Sequence, residues 1–149
     1  MALAENKAII QRYYDELWNK WDLSLVDDII GPEICFRGSL GVAVQGRDGF
    51  KNYVATVRRA FPDFHNTIEE LVAEDEKVVA RLTYRGTHQG ELFGIPPTDK
   101  QVSYAGIAMF RILNERIVDG WVIGDVPGLL RQLGGVAAGK GASTETTPS

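Results

Sequence analysis

Val78-Val79-Ala80-Arg81-Leu82-Thr83-Tyr84-Arg85-Gly86-Thr87-His88 is dense in β-branched and aromatic residues and carries no helical stripe, so it predicts a strand. The next residues, 89–100, hold two glycines and the Pro96-Pro97 pair. They break any ladder and predict a shaped loop. Strand pattern returns over Val102–Ile112 and again over Ile117–Ile123, with Leu113-Asn114-Glu115-Arg116 between them as a tight hairpin turn. Three consecutive antiparallel strands follow from that spacing.

Upstream, Phe64–Ala73 reads as a first long strand, entered through Phe61-Pro62-Asp63 and left through the turn Glu74-Asp75-Glu76-Lys77. Ahead of it the periodicity changes. Ile9, Ile10, Tyr13, Tyr14, Leu17, Trp18 and Trp21 recur at spacings of three and four, which predicts an amphipathic helix over Glu5–Lys20 with an aromatic face. A short second helix over Asp22–Ile30 is stopped by Gly31-Pro32. Glu33–Arg37 is a short strand, residues 38–44 a loop, and a third helix runs from Gln45 to about Ala60 with Phe50, Tyr53, Val54 and Val57 inward. Val126–Leu133 is a last helix ended by Gly134-Gly135. Helices followed by a run of strands predict an α+β domain over residues 1–134, a curved antiparallel sheet covered on one face by three N-terminal helices. The sequence from 135 to 149, rich in Gly, Ser and Thr, has little to bury and is expected to be disordered.

Bulk properties narrow the function. A net charge of -4 over 149 residues argues against a nucleic-acid partner. No run reaches the roughly 18 apolar residues of a membrane span and the N-terminus has no signal-peptide core, so the expectation is no membrane partner and a cytoplasmic location. One cysteine, Cys35, and two histidines, His65 and His88, leave no metal site to expect. A sheet bent over an aromatic helix encloses a concave apolar interior, the usual setting for a small apolar or aromatic ligand.

Gly86-Thr87-His88-Gln89-Gly90, Gly94-Ile95-Pro96-Pro97-Thr98, Trp121 with Asp125, and Leu129-Leu130-Arg131-Gln132-Leu133-Gly134 occur in that order. Together with Phe61-Pro62-Asp63 they resemble the SnoaL-like polyketide cyclases, often labelled ester cyclases, of the NTF2-like superfamily. The resemblance spans residues 5 to 134. It implies an α+β cone, a homodimer formed through the outer sheet face, and catalysis without metal or organic cofactor. It also implies that Asp125, matching the family's aspartate at the end of the last strand, serves as acid and base in an intramolecular aldol closure.

The chain departs from related patterns in several places. Where family members often carry a histidine after the first short strand, this sequence has Phe36-Arg37-Gly38-Ser39, and Arg37 cannot act as a base. Asp99 replaces the usual glycine after Pro-Pro-Thr. Limonene-epoxide hydrolases carry an Arg-x-Asp pair in the central strand and an acid after the tryptophan; here Arg81-Leu82-Thr83 and Ile123 stand there instead.

Strict alternation would put Ile117, Asp119, Trp121, Ile123 and Asp125 on one face. If that face lines the cone, Asp125 meets an apolar site in which one carboxylate can take and return a proton. The plainer role for Asp125 is to cap the helix starting at Val126-Pro127. His88 either polarises a carbonyl or ties down the following loop. Arg81 either binds a substrate carboxylate or ester or pairs with Asp119 or Glu69 across the sheet. Tyr14, Trp18, Trp121, Phe36 and Arg37 complete the candidate substrate wall, the aromatic ones doubling as core. Either Arg81, Thr83 and Arg85 or Leu82, Tyr84 and His88 face inward. The leading function is a cofactor-independent cyclase or isomerase acting on an activated carbonyl or polyketide ester; the alternatives are a non-catalytic small-molecule binding module and a hydrolase or dehydratase.

Overall fold

The computed structural model describes residues 2–134; the tail whose disorder the composition predicts lies outside them. Helix α1 (Ala2–Arg12) runs directly into a π-helical turn, Tyr13–Trp18. A 3₁₀ turn (Leu23–Leu25) and the short α2 (Val26–Ile29) lead into β1 (Ile30–Arg37) and β2 (Ala43–Gln45). Helix α3 (Gly46–Ala60) precedes β3 (His65–Glu74), β4 (Lys77–Thr87), β5 (Gln101–Leu113) and β6 (Arg116–Gly124), and α4 (Val126–Gln132) closes the described chain.

The six strands form one sheet in the order β2-β1-β6-β5-β4-β3. The expected meander β3-β4-β5-β6 is antiparallel throughout. Three details differ from the sequence reading. The segment expected as a loop contains β2, which pairs with β1 at Cys35↔Gln45 to Arg37↔Ala43. Strand β1 pairs with β6 in parallel, so the sheet is mixed. Gly31-Pro32 does not stop a helix ahead of the strand but lies inside β1. The proline falls in the irregular stretch between the pairs Ile30↔Ile117 and Cys35↔Asp119, where its missing N–H breaks no ladder bond.

At the β5–β6 hairpin, Asn114 and Glu115 both have positive φ, 52° and 64°. That is the geometry of a two-residue turn whose twist matches its strands. The helices lie across the concave face. Tyr13, Tyr14, Leu17 and Trp18 are all buried, two adjacent pairs on successive turns, which a regular α-helix cannot aim at one narrow stripe. The chain resolves this by widening to i→i−5 bonding, with the Asn19 N–H donating to the Tyr14 carbonyl at 2.9 Å. Asn19 also clamps the turn to β3. Its side-chain amide donates to the Asn66 carbonyl, and its Oδ1 accepts from the Asn66 N–H at 2.8 Å.

Side chains from sheet and helices meet in one aromatic core. Phe110 packs edge-on to Tyr13 at 5.2 Å and Phe36 edge-on to Phe50 at 5.1 Å, while Phe64 stacks on Tyr84 at 5.7 Å. Each such ring stabilises the fold by about 1.5–3 kcal/mol through area burial alone.

Candidate active site

Between sheet and helices lies a small cavity walled by Tyr13, Tyr14, Trp18, Phe36, Ser39, Tyr53, Val57, Phe64, Asn66, Tyr84 and Val122. Its volume of about 20 Å³ is room for a single water. The wall is apolar in area but carries the hydroxyls of Ser39, Tyr13, Tyr14, Tyr53 and Tyr84, and one of these, Ser39, bonds the buried Tyr104, which is not itself a lining residue. Ser39 Oγ and Tyr104 Oη are hydrogen-bonded at 3.0 Å, and the Leu40 N–H donates to Tyr53 Oη at 3.3 Å. Glycines admit these rings: a Cβ on Gly124 would lie 2.8 Å from the Ser39 carbonyl and 3.2 Å from the Tyr104 ring, and one on Gly38 would collide with Tyr53.

Burial raises the pKa of Tyr13, Tyr14, Tyr53, Tyr84 and Tyr104; neighbouring tyrosines add to it at all but Tyr53, where the Arg37 charge opposes it. Hydrogen bonds from Leu40 and Ser39 partly offset the effect at Tyr53, as that from Ser39 does at Tyr104. All five phenols therefore stay protonated at neutral pH. In the interior they are neutral hydrogen-bond donors suited to a carbonyl or enolate oxygen. No acid or base that changes charge near neutrality is among the lining residues.

Of the residues singled out from sequence, Tyr14, Trp18 and Phe36 line this cavity. Trp121 does not. Val118 has no partner in β5, because the register passes from Ile112↔Ile117 to Arg111↔Asp119. That extra residue reverses the alternation. Ile117 is buried, but beyond the bulge Gly120 and Val122 point inward while Asp119, Trp121 and Ile123 point out. Trp121 is 47% exposed on the outer face, with the Arg37 guanidinium 5.5 Å above its ring. Arg37 also donates to the Val122 carbonyl and is not among the residues lining the cavity.

Arg81 is likewise on the outer face, since β4 turns Leu82 and Tyr84 inward. Its Nε pairs with Glu70 Oε1 at 2.9 Å, the neighbour of the Glu69 expected from sequence; Glu69 takes the Thr83 hydroxyl instead. His88 is fully buried but away from the cavity wall, facing Phe61 at 5.9 Å. Its Nδ1 accepts from the Thr98 N–H at 3.2 Å and lies 3.0 Å from the Thr98 hydroxyl. Those bonds hold the 89–100 loop, the structural role weighed from sequence.

Asp125 is exposed, not enclosed by apolar walls. Its carboxylate caps α4, accepting from the Gly128 N–H at 3.0 Å. It follows directly on Gly124, the residue packed against Ser39 and Tyr104, but is not itself among the residues lining the cavity.

The sequence reading missed Ser39 and Tyr104 as site residues. Tyr104 was legible as an alternate position of a strand. Ser39 gave no signal, because its place depends on the turn between β1 and β2. Among the described residues no group of three or more metal-ligating side chains is gathered, and no helix is long and apolar enough to cross a membrane.

Comparison with known proteins converges on one family. The sequence profile of the SnoaL-like polyketide cyclases matches residues 8–133. The chain is 34% identical over 112 residues to the nogalonic acid methyl ester cyclase of Streptomyces nogalater, covering 73% of this chain and 83% of that protein. It is 30% identical over 135 residues to the aklanonic acid methyl ester cyclase AcmA of Streptomyces galilaeus, covering 89% and 92%. Among solved structures, IdmH of Streptomyces antibioticus superposes with a TM-score of 0.76 at 30% identity, covering 87% of this chain and 98% of that one. A cyclase-like protein from Jannaschia superposes at 0.81 with 19% identity, over 87% and 92%, a likeness of fold alone. The cone, its order of elements and this match over most of the chain place the protein in the SnoaL-like polyketide cyclase family.

Proposed function

We propose that the protein is a cofactor-independent cyclase that closes a ring by intramolecular aldol chemistry on an aromatic polyketide ester. The observation that carries this reading is the juxtaposition of two functions: a neutral hydroxyl pair, Ser39–Tyr104, inside the cone, and the Asp125 carboxylate one residue beyond the glycine that packs on it. Asp125 removes a proton from carbon flanked by carbonyl groups, the resulting enolate carbon attacks a second carbonyl of the same molecule, and the alkoxide so formed takes the proton back. Mass and charge are conserved, and no oxidant or activated donor is consumed. The free proton of the pair is donated to the oxygen on which charge develops, in a site whose apolar walls strengthen the hydrogen bond. His88 acts through the loop it holds. Its contribution is structural, through its bonds to Thr98.

The cavity is water-sized, so substrate entry displaces wall side chains. The π-helical turn carrying Tyr13, Tyr14 and Trp18 and helix α3 carrying Tyr53 and Val57 supply wall residues outside the sheet ladder.

The active form is a homodimer joined through the outer sheet face. Ile107 stands opposite Ile123 and Met109 opposite Trp121, making a square of four side chains each 43–49% exposed. A contiguous apolar block on a sheet face is a site of association.

Liquid chromatography with mass spectrometry tests the reaction. Polyketide methyl esters incubated with the wild type yield a product of unchanged mass and altered retention, and Asp125→Asn yields none. Full turnover by that variant overturns the assignment.

A further inference from the structure

Two buried side-chain polar atoms have no hydrogen-bond partner among the described residues: His88 Nε2 and Tyr13 Oη. The first belongs to a ring already engaged with Thr98 and away from the cavity. The second belongs to a ring that lines it. The Tyr13 ring is wedged edge-on between Tyr14 at 4.9 Å and Phe110 at 5.2 Å, with Phe50 at 6.1 Å and Trp18 at 6.5 Å. A phenol held among rings with nothing to donate to destabilises the fold. Packing alone would be served as well by phenylalanine, so the hydroxyl calls for a partner brought from outside.

The chemistry of that partner follows from the surroundings. Burial outweighs the opposing effect of the Trp18 indole, which can only donate, and keeps Tyr13 protonated, so the phenol's own proton is left to donate. The cavity wall holds no arginine, lysine or histidine, so a free carboxylate would be left there without a counter-charge. The remaining acceptor is an uncharged carbonyl oxygen or a ring-borne phenolic oxygen. On β5, Phe110 lies six positions beyond Tyr104 toward the β5–β6 hairpin, so Tyr13 and the Ser39–Tyr104 pair address different parts of one ligand.

We infer that Tyr13 is a specificity-determining residue: its hydroxyl forms a second polar subsite, toward the hairpin end of the cone, that selects aromatic ligands bearing an oxygen acceptor remote from the reacting carbonyl. The inference rests on the cavity being the ligand site and is independent of turnover.

The test compares α-tetralone with tetralin, a ketone and hydrocarbon of nearly one shape, binding to wild type and Tyr13→Phe by calorimetry or tryptophan fluorescence. Both probes must open the cavity to the same extent, so that cost cancels in the ratio of their affinities. The wild type prefers the ketone, and Tyr13→Phe reduces that preference about tenfold. The unliganded variant melts higher than wild type, because it no longer buries an unpaired donor. A residue serving packing alone would not separate ketone from hydrocarbon. Equal preference in the two proteins, as expected if a trapped water satisfies Tyr13, overturns the inference, and so does failure of the wild type to bind either probe. Tyr13-dependent preference without turnover of any ester keeps this subsite and removes the cyclase; turnover without the preference does the reverse.

Discussion

Ser39 Oγ and Tyr104 Oη lie 3.0 Å apart, joining the turn after β1 to the middle of the sheet inside the cone. Whichever hydroxyl accepts from the other keeps its own proton, so the pair offers an incoming oxygen one donor held in place by its neighbour. Tyr104→Phe is expected to lower kcat by about a hundredfold with little change in KM, the behaviour of a donor used chiefly at the transition state. Steady-state kinetics of ring closure checks this, and an equal rise in KM with unchanged kcat would assign Tyr104 to ground-state binding.

Asp125 carries two roles that substitutions separate. Asparagine caps a helix about as well as aspartate but is no base, whereas alanine does neither. Asp125→Asn should therefore unfold close to wild type, and Asp125→Ala about 1 kcal/mol earlier. Urea titration measures the difference. A destabilised asparagine variant would mean that the carboxylate charge, not the hydrogen bond to Gly128, holds the start of α4.

The apolar square Ile107, Met109, Trp121 and Ile123 predicts the oligomeric state. Ile107→Glu places a charge at one corner of it, beside the Arg81–Glu70 pair. Light scattering coupled to gel filtration should give a dimer for wild type and a monomer for the variant. A monomeric wild type would leave the patch without the proposed partner.

Asp63 gives a pH signature. Partial burial acts to raise its pKa, but hydrogen bonds from the Thr87 hydroxyl and N–H, both 2.7 Å, outweigh it and leave the value below ordinary. A carboxylate with a depressed folded pKa contributes stability that is complete above its unfolded value, about 3.9, and is lost as pH falls through the folded one. The stability gap between wild type and Asp63→Asn should stay constant from pH 7 to about pH 5 and narrow on further acidification. Unfolding midpoints measured across that range decide it; a gap independent of pH would show that the bond geometry matters and the charge does not.

The sequence by itself determined the order of elements, and with it the family. Alternation over β4, β5 and β6 and the three-and-four spacing before Lys20 are local signals, set by pleat and helical pitch. The run of motifs from Gly86 to Gly134 carries the family likeness for the same reason, since each is a short stretch with its own turn chemistry. Tertiary structure decided which side chains meet. One unpaired residue, Val118, turned Trp121 out of the cavity, because the period of a strand is two and a single bulge inverts everything beyond it. The π-turn, a response to burying Tyr13, Tyr14, Leu17 and Trp18 together, set the helical wall. Ser39 reached Tyr104 only through the pairing of β1 with β2 and with β6, contacts between segments far apart in the chain. Periodicity fixes a residue's face within its own element. Which faces close around a common space depends on register and packing between elements, and those are properties of the whole chain.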